Sequence, residues 1–594
     1  MPTTHPPPPS TTTTHHLPPI QHHLAHQILL ADNLLKSTTQ LHSSNPNFSQ
    51  LTQLALQLTH LLRSTARLIA PTTTTAPTFY DRPLRPIFSH LSSNLRRAQT
   101  LVRKSKHFKN HIIIRHVFAL TTAADVRRVS NLLESSIADL NWLLSVFHNS
   151  AVNLLPPPPV AGDDPVLASV WSHIAAVQHS DQLGDRVDAA NLLASLAGES
   201  DRNKKMIIEQ DGVPPLLKLI KDSGSPESQI AAVNTLYSLA VDREKVAGFV
   251  PANAVPAIVK ALNDSTDFIV RTNLIDLVSK MAEIDSWVKE EFGRENVIRT
   301  IVAFLANDVE IGKNIGFFGS VSGSSSSLRD YKETDSGFPE EKRKLQMSCG
   351  RALWILAKGS LVNSRKMTET KALVCLSKLI ETETGELQSS CLMTVTELAA
   401  VAESNAALRR HAFKPNSPAA RTVLDQLLRV VNRERNTKLV VPAITAIGSL
   451  ARTFPAKETR VIGPLVSKLG HGVSDVANEA VVALTKFVSP DNFNCVEHSK
   501  AILDFDGVPH LMSFLKNNGD FKIRVHGLKL LCYLALHVGN SNALEQARAL
   551  IVVEAAARSV VTRYPELKEL FAKAIHHLNL YQAGTHTHKL AYVP

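Results

Sequence analysis

A Gly/Ser stretch, Gly319-Ser320-Val321-Ser322-Gly323, is the part of the chain that comes nearest to a catalytic nucleophile. It approximates the G-x-S-x-G nucleophile elbow, although valine stands at the central position, and that motif also needs a preceding strand and a following helix. Here the stretch lies in a Gly/Ser-rich loop between helical segments, so it does not predict acyl transfer or hydrolysis. Its serines are better candidates for phosphorylation, which would add negative charge to the loop.

The other reactive or metal-binding side chains do not form a site in the sequence. The five cysteines, Cys349, Cys375, Cys391, Cys495 and Cys532, have scattered spacings without a C-x-x-C pair. This argues against a disulfide framework or a zinc site and favours a reducing compartment. The histidines of the leader are better explained by an unstructured polar tail than by a metal site. No P-loop, protein-kinase motif set or H-E-x-x-H motif is present, so the sequence predicts a protein that is not an enzyme and binds no cofactor or metal.

Positive charge is concentrated near the N-terminus. The net charge is +11, and between Arg82 and Arg115 there are nine basic residues and no acidic ones. A basic helical face attracts anionic lipid headgroups or nucleic-acid phosphates, and the simplest alternative is an ordinary solvated face. Lipid is favoured over nucleic acid because no aromatic residue lies between Phe88 and Phe108 to stack on bases. The candidate face for an anionic membrane is Arg96, Arg97, Arg103, Lys104, Lys106 and Lys109.

The elements that would carry such surfaces are repeated helices. The sequence pattern of residues 186–197 recurs at residues 229–240, and that of residues 211–220 recurs at residues 253–262. Paired apolar helical segments with a period near 40 residues are typical of armadillo or HEAT solenoids, in which each repeat buries its apolar face against its neighbours. Further inner helices are predicted at 270–282, 347–357, 388–399, 440–451, 477–488 and 524–535.

One turn sequence of this repeat occurs twice in the chain. Asp211-Gly212-Val213-Pro214 returns as Asp506-Gly507-Val508-Pro509 in front of a predicted helix. Glycine takes a positive φ most readily, and proline fits the first position of a helix. We therefore expect positive φ at Gly212 and Gly507, with the prolines opening the helices.

The inner helices of such a solenoid line a groove, so residues at equivalent positions predict what it binds. One column, counted back from the end of each inner helix, is Asn191, Asn234, Asp276, Arg351, Met393, Thr445, Val482 and Lys529. Importin-like proteins place tryptophan in this column and asparagine in a second one, to grip basic peptides, and neither ladder is present. The sequence therefore disfavours nuclear-signal recognition and favours a protein partner. The candidate groove residues are Asn191, Asn234, Asp276, Arg351 and Lys529.

The predicted fold is all-α, with an N-terminal four-helix bundle followed by an armadillo-type α-solenoid. The fourth bundle helix is expected at about residues 123–147. The expected segments are a low-complexity leader at 1–19, the bundle at 20–150, a linker at 151–165, armadillo repeats at 166–580 with a flexible insertion at about 306–346, and a frayed tail at 581–594.

Several motifs of the chain resemble a known family. They are Tyr80-Asp81-Arg82-Pro83, Arg115-His116-Val117-Phe118, the segment 133–144 ending in Asn-Trp-Leu-Leu, Asp164-Pro165-Val166 and Lys205-Met206-Ile207-Ile208-Glu209. Over most of its length the chain is similar to the plant Armadillo Repeat Only family. The resemblance implies an N-terminal helical domain, armadillo repeats and no catalytic module. It also implies a polarity or trafficking scaffold at the plasma membrane, associated with Rho-type small GTPase signalling.

These observations lead to one functional expectation and one alternative. We expect a scaffold whose groove binds protein partners, with Rho-type GTPase signalling components among them, while the basic bundle contacts an anionic membrane. The alternative is a nuclear or nucleic-acid-associated armadillo regulator. No apolar run approaches the roughly 20 residues that cross a bilayer, and no apolar signal segment opens the chain. We therefore expect a cytoplasmic protein, peripheral at the plasma membrane, with the nucleus as the alternative location.

Overall fold

A computed structural model describes residues 20–42, 48–69, 80–107, 115–147, 157–162, 164–222, 225–306, 339–370, 372–455, 458–517 and 519–590. Within these ranges the regular structure is helical and no strand occurs. This confirms the predicted all-α fold, an N-terminal four-helix bundle followed by an armadillo-type solenoid. The chain divides into two compact units, residues 1–254 and 255–594. The first unit contains the bundle and the opening repeats, and the second contains the later repeats.

The helices of the first unit are α1 (Ile20–His42), α2 (Ser49–Ile69), α3 (Leu84–His107), α4 (Arg115–Phe147), α5 (Pro165–His179), α6 (Leu183–Glu199), α7 (Asp201–Glu209), α8 (Val213–Asp222), α9 (Pro226–Leu239) and α10 (Arg243–Ala247). In the bundle, α2 and α3 each pack against both α1 and α4. Its core is built from leucines three or four residues apart, such as Leu51, Leu58, Leu91 and Leu95, as amphipathic helices require. The fourth helix begins at Arg115, earlier than predicted.

The segment before α3 fixes the bundle to the first repeat. Tyr80 is buried, and its hydroxyl donates a hydrogen bond to Gln210 O at 3.0 Å. Its backbone N–H donates to His179 Nε2 at 3.1 Å. Two residues on, Arg82 forms an ion pair with Asp211. The motif Tyr80-Asp81-Arg82-Pro83 therefore forms a structural contact between the bundle and the first repeat.

Part of the predicted linker is also attached to the bundle. The Val160 N–H donates to Asp139 Oδ1 at 2.9 Å, and His90 Nδ1 lies 3.3 Å from the other carboxylate oxygen. Burial raises the pKa of Asp139, and these two contacts oppose that rise. Beside them, the rings of Trp142 on α4 and Trp171 on α5 lie 6.1 Å apart. The bundle and the first repeat therefore share one core.

The helices of the second unit form a stack of repeats. They are α11 (Ala254–Asp264), α12 (Phe268–Ile284), α13 (Ser286–Arg294), α14 (Val297–Ala306), α15 (Pro339–Ala357), α16 (Leu361–Glu369), α17 (Ala372–Thr382), α18 (Glu386–Ser404), α19 (Ala406–Ala412), α20 (Pro418–Arg433), α21 (Thr437–Ser449), α22 (Ile462–Lys468), α23 (Ser474–Val488), α24 (Cys495–Asp504), α25 (Gly507–Asn517), α26 (Phe521–Val538), α27 (Asn542–Gln546), α28 (Ala549–Arg563) and α29 (Lys568–Leu590). The inner helices pack in the order α12, α15, α18, α21, α23, α26 and α29. Every inner helix predicted from residue 270 onwards is present in this ladder.

The turn before α8 and α25 differs from the prediction. The residue with positive φ is the aspartate, Asp211 or Asp506, each at 58°, so the expectation of positive φ at Gly212 and Gly507 was wrong. Aspartate tolerates the left-handed region better than most residues. The glycine is needed because a Cβ on Gly212 would lie 2.7 Å from Ile207 Cγ2 and 2.8 Å from Ile207 O, and Gly507 meets the equivalent isoleucine. Proline then falls within the first turn of each helix, where no N–H is required.

The boundary of the insertion also needs correction. Residues 307–338, with the Gly/Ser stretch, lie outside the described residues, as does the leader at 1–19. The last part of the predicted insertion, from Pro339 onwards, instead forms the first turns of α15. Glu340 and Glu341 favour the positive N-terminal end of that helix, and Glu340 pairs with Lys344 at 3.1 Å.

The C-terminal helix is longer than expected. α29 continues to Leu590, past Tyr581, where the sequence predicted that helical structure ends. Its buried residues, Phe571, Ala574 and Leu578, recur every three or four positions and pack towards α26 and α28. This apolar stripe explains why a helix forms here.

Candidate interaction surfaces

A cleft of about 1280 Å³ lies on the bundle between α1, α3 and α4. One whole face of α3 lines it, because the lining residues recur every three or four positions: Arg85, Phe88, Ser89, Ser92, Ser93, Arg96, Arg97, Thr100, Leu101 and Lys104. From α1 come His22, His23 and His26, and from α4 come Asp125, Arg128 and Val129. We call this surface the bundle cleft.

The bundle cleft contains cations without counter-ions. Arg85 is paired with Asp81 at 2.7 Å. The other four basic residues, which we call the open cations, are Arg96, Arg97, Lys104 and Arg128. Within the described part of the chain, no carboxylate lies within the ion-pair distance of 4.0 Å from any of them. Their field extends about 8 to 10 Å into solution at moderate salt, so the cleft presents positive potential to the solvent.

The predicted membrane face is only partly gathered in this cleft. Three of its six members are open cations. Arg103 is exposed on α3 but lies outside the cleft lining. Lys106 Nζ donates instead to Gln40 Oε1 on α1, at 2.9 Å. Lys109 lies outside the described residues.

The sequence missed the contributions of the other bundle helices. Arg128 and the histidines His22, His23 and His26 line the cleft, although they are distant in sequence from the basic run. Helical spacing places Arg128 on one face of α4, but only the packing of α4 against α3 shows which neighbour that face meets. No pattern in the sequence alone carried that information.

In the second unit, the ladder brings two predicted groove residues together. Asp276 on α12 is half-buried, accepts a hydrogen bond from Ser348 and lies near Arg351 on α15. Burial raises the pKa of Asp276, while the Ser348 hydroxyl and the Arg351 guanidinium oppose that rise. Lys529 lies on α26, and its Nζ is 6.0 Å from the centre of the Tyr533 ring.

Other polar groups of this groove are satisfied by neighbours. Lys486 Nζ on α23 lies 2.7 Å from Glu403 Oε2 on α18. Thr445 on α21 donates to Glu479 Oε1 on α23 at 2.8 Å. The groove is therefore a mixed polar surface in which these side chains have partners on other inner helices.

The two candidate groove residues of the first unit lie on adjacent inner helices. Asn191 on α6 and Asn234 on α9 are both exposed. A hydrogen bond links the two helices beside these asparagines: the Thr235 hydroxyl, next to Asn234, donates to the backbone oxygen of Ala190, next to Asn191, at 2.8 Å. Both asparagines are thus displayed on the α6–α9 pair.

Three further features bear on the class of protein. Among the described residues, no group of three or more His, Cys, Asp or Glu side chains could hold a metal ion. No single helix in those ranges is long and apolar enough to span a membrane, although the bent pair 243–252 and 254–264 reaches that length and composition together. The cysteines are free, and burial raises the pKa of Cys375 and of Cys532 to about 12, which leaves little thiolate.

The ladder of repeated helices that follows the N-terminal helical bundle gives this chain the fold of an armadillo-repeat protein. Residues 200–241, across α7 to α9, match the armadillo/beta-catenin-like repeat, and residues 21–148 match a domain of unknown function, DUF7792, over the bundle helices. An engineered protein solved by the Northeast Structural Genomics Consortium has a TM-score of 0.52 and 19% identity, covering 75% of this chain and 95% of that one. This likeness shows the fold.

A designed armadillo repeat protein is more distant. Its TM-score is 0.36 at 18% identity, over 47% of this chain and 98% of its own. A likeness of that size carries no argument about function. No curated protein gives a match to this chain.

Proposed function

We propose that the protein is a non-enzymatic scaffold that is held at an anionic membrane surface by the bundle cleft and binds protein partners in the groove of its solenoid. The observation that carries the proposal is the set of open cations, which face solvent without counter-ions. Support for the second half comes from the armadillo fold, since stacked repeats present long concave surfaces that suit protein partners.

The energy available to the bundle cleft is sufficient for reversible attachment. A basic residue near an anionic bilayer contributes about 1 kcal/mol, so four open cations contribute about 4 kcal/mol. That corresponds to roughly a thousand-fold increase in membrane affinity. Because these cations have no ion pairs to lose, little of this energy is spent on breaking existing contacts.

We further propose a role in polarity signalling with Rho-type small GTPases at the plasma membrane of a plant cell. Support comes from the resemblance of the bundle motifs to the Armadillo Repeat Only family. Tyr80 and Arg82, in one of these motifs, hold the bundle on the first repeat of this chain. Purified protein mixed with Rho-type GTPases in their GDP and GTP-analogue forms tests this role. Failure to retain either form would remove this part of the proposal and leave the membrane part unaffected.

Vesicle co-sedimentation of the full chain tests the membrane part. We expect binding to phosphatidylserine-containing vesicles and none to pure phosphatidylcholine. The triple variant R96Q/R97Q/K104Q should lose about 100-fold in affinity, at about 1 kcal/mol per charge. The matched control is R103Q, which removes an exposed arginine from the same helix but outside the cleft lining.

The pattern of results separates the possible outcomes. A loss confined to the triple variant supports attachment through the cleft, whereas unchanged binding by it would overturn the membrane proposal. Tighter binding to a DNA duplex than to the vesicles, with steep salt dependence, would favour the nuclear or nucleic-acid regulator instead.

A further inference from the structure

A second cleft, of about 870 Å³, lies in the groove of the second unit. Side chains from α12, α13, α15, α18 and α21 line it, including Lys289, Arg351, Trp354, Lys358, Glu386 and Lys438. We call it the groove cleft. Its volume falls within the range of sites that enclose a short peptide or a small ligand.

One side of the groove cleft carries an apolar rim. Trp287 is 48% exposed at the start of α13, and Leu361 and Val362 are 46% and 38% exposed at the start of α16. The two helices pack against each other. The rim flanks the cleft lining: Trp287 is two residues before Lys289, and Leu361 and Val362 are three and four residues after Lys358. Clustered exposed apolar side chains, and tryptophan above all, are typical of surfaces that bind partners.

The rim is held in one arrangement by buried contacts. Asp285 accepts a hydrogen bond from the Trp287 N–H at 2.8 Å, which fixes the start of α13. Asn363 Nδ2 donates to Lys289 O at 3.1 Å and to a carbonyl at the end of α15 at 3.0 Å. A Cβ on Gly293 would collide with the Asn363 amide, so only glycine allows this approach. A surface that is already ordered loses little conformational entropy when a partner binds.

The charge nearest the rim is positive, although Glu283, Glu386 and Glu434 line other parts of the cleft. Lys289 Nζ donates to the backbone oxygen of Lys358 at 3.1 Å, so the Lys289 ammonium lies at the backbone that carries the second lysine. Burial lowers the pKa of Lys289, the Lys358 charge adds to this effect, and Glu397 and Glu283 oppose it. In the part of the chain that the structure describes, no carboxylate lies within 4.0 Å of either ammonium. One turn before Lys358, the buried indole N–H of Trp354 has no acceptor.

We propose that the groove cleft binds a peptide segment of a partner protein in which a carboxylate side chain lies beside a bulky apolar side chain. The carboxylate is placed between Lys289 and Lys358, where it supplies the missing negative charge. The apolar side chain covers Trp287 and Leu361. This inference rests on the proposed scaffold function and adds the chemistry of the partner to it.

Fluorescence anisotropy with the full chain tests the inference. The probe is a fluorescein-labelled peptide of about nine residues, the usual reach of one docking motif, built from Ser-Glu-Phe repeats. Comparison peptides replace every Glu by Lys, or every Phe by Ala. We expect the Ser-Glu-Phe peptide to bind about ten-fold more tightly than either comparison. The Lys peptide loses the desolvated charge pair, and the Ala peptide loses the apolar anchor.

Variants locate the binding site. W287A should weaken binding of the Ser-Glu-Phe peptide about ten-fold. K289Q/K358Q should abolish the preference for Glu over Lys. The matched controls are I551A, which removes a 60% exposed apolar side chain elsewhere, and K500Q, which removes an exposed lysine on α24. Both should bind like the unmodified chain, and thermal melts of all variants check that they are folded.

Each outcome bears on the inference. Preference for the Lys peptide, equal binding of all peptides, or no binding would overturn it, as would equal losses in controls and rim variants. Binding of the Lys peptide would leave the scaffold proposal standing while removing the acidic partner. The vesicle experiment uses residues of the first unit alone, so the membrane proposal and this inference fail separately.

Discussion

The bundle cleft and the groove cleft use positive charge in different ways. In the bundle cleft, none of the open cations has a carboxylate within ion-pair distance among the described residues, so they act together through a field in solution. In the groove cleft, two lysines stand beside an ordered rim of Trp287 and Leu361. The first arrangement suits a surface without defined shape, such as a bilayer. The second suits a segment with a defined side-chain order.

Salt should produce the largest difference between the two clefts. The Debye length falls from about 14 Å near 0.05 M salt to about 4 Å near 0.5 M. We expect vesicle binding to weaken about 100-fold over this range, because it depends on several exposed cations. Binding of the Ser-Glu-Phe peptide should weaken less than about ten-fold, since burial of apolar surface is insensitive to moderate salt. Co-sedimentation and anisotropy in matched buffers measure both, and equal salt dependence would remove the distinction.

The order of the groove rim provides the next test. Gly293→Ala places a methyl group against the Asn363 amide, which must move and give up its hydrogen bonds. We expect the free energy of unfolding to fall by about 3 kcal/mol and peptide binding to weaken with it. Gly184→Ala is the matched control, because a Cβ there meets nothing within 4 Å and α6 gains a better helix former. Urea unfolding measures both, and vesicle binding by Gly293→Ala should stay unchanged below the transition.

These two sites also show how far sequence reasoning reaches. The repeat period and the apolar spacing predicted the inner helices of the ladder, because each helix must bury its own apolar stripe. The open cations on α3 could be predicted for the same reason, since helical periodicity places them on one face. Arg128 could not, because its position in the cleft depends on how α4 packs against α3.

The groove rim was not predicted, and its residues explain why. Trp287 and Leu361 stand at helix starts, where exposure depends on the preceding turn and on the neighbouring repeat. The positive φ of Asp211 and Asp506 was missed because glycine is the usual residue in such turns, and only the close approach of Ile207 to Gly212 shows that glycine serves another purpose. Tertiary packing, which a single sequence does not display, decided both cases.

The pH dependence of stability tests whether the contact between His179 and Tyr80 holds the bundle on the first repeat. Burial, reinforced by Lys218 and Arg186, lowers the pKa of His179 to about 4. The neutral ring accepts the Tyr80 N–H, so this contact contributes stability above about pH 6.5, the value for an unfolded histidine, and loses it as the pH falls to about 4. We expect a loss of about 2 kcal/mol over this interval, with a smaller loss in His179→Gln, whose carbonyl oxygen still accepts the hydrogen bond. Equal slopes in urea unfolding at several pH values would show that His179 is not responsible.

The smallest expected effect gives the most direct contrast between paired and open cations. Lys486 lies 2.7 Å from Glu403, and both side chains are about one-third exposed, so Lys486→Gln should destabilise the fold by about 0.5 to 1 kcal/mol. Arg97→Gln removes a cation that has no carboxylate partner among the described residues and has like charges nearby, so unfolding should change little or become slightly harder. Denaturant titration at low and high salt distinguishes the two, because screening should reduce the loss in Lys486→Gln. If Arg97→Gln destabilised the chain as much as Lys486→Gln, its guanidinium would belong to the structure of the bundle rather than to a surface kept open for a partner.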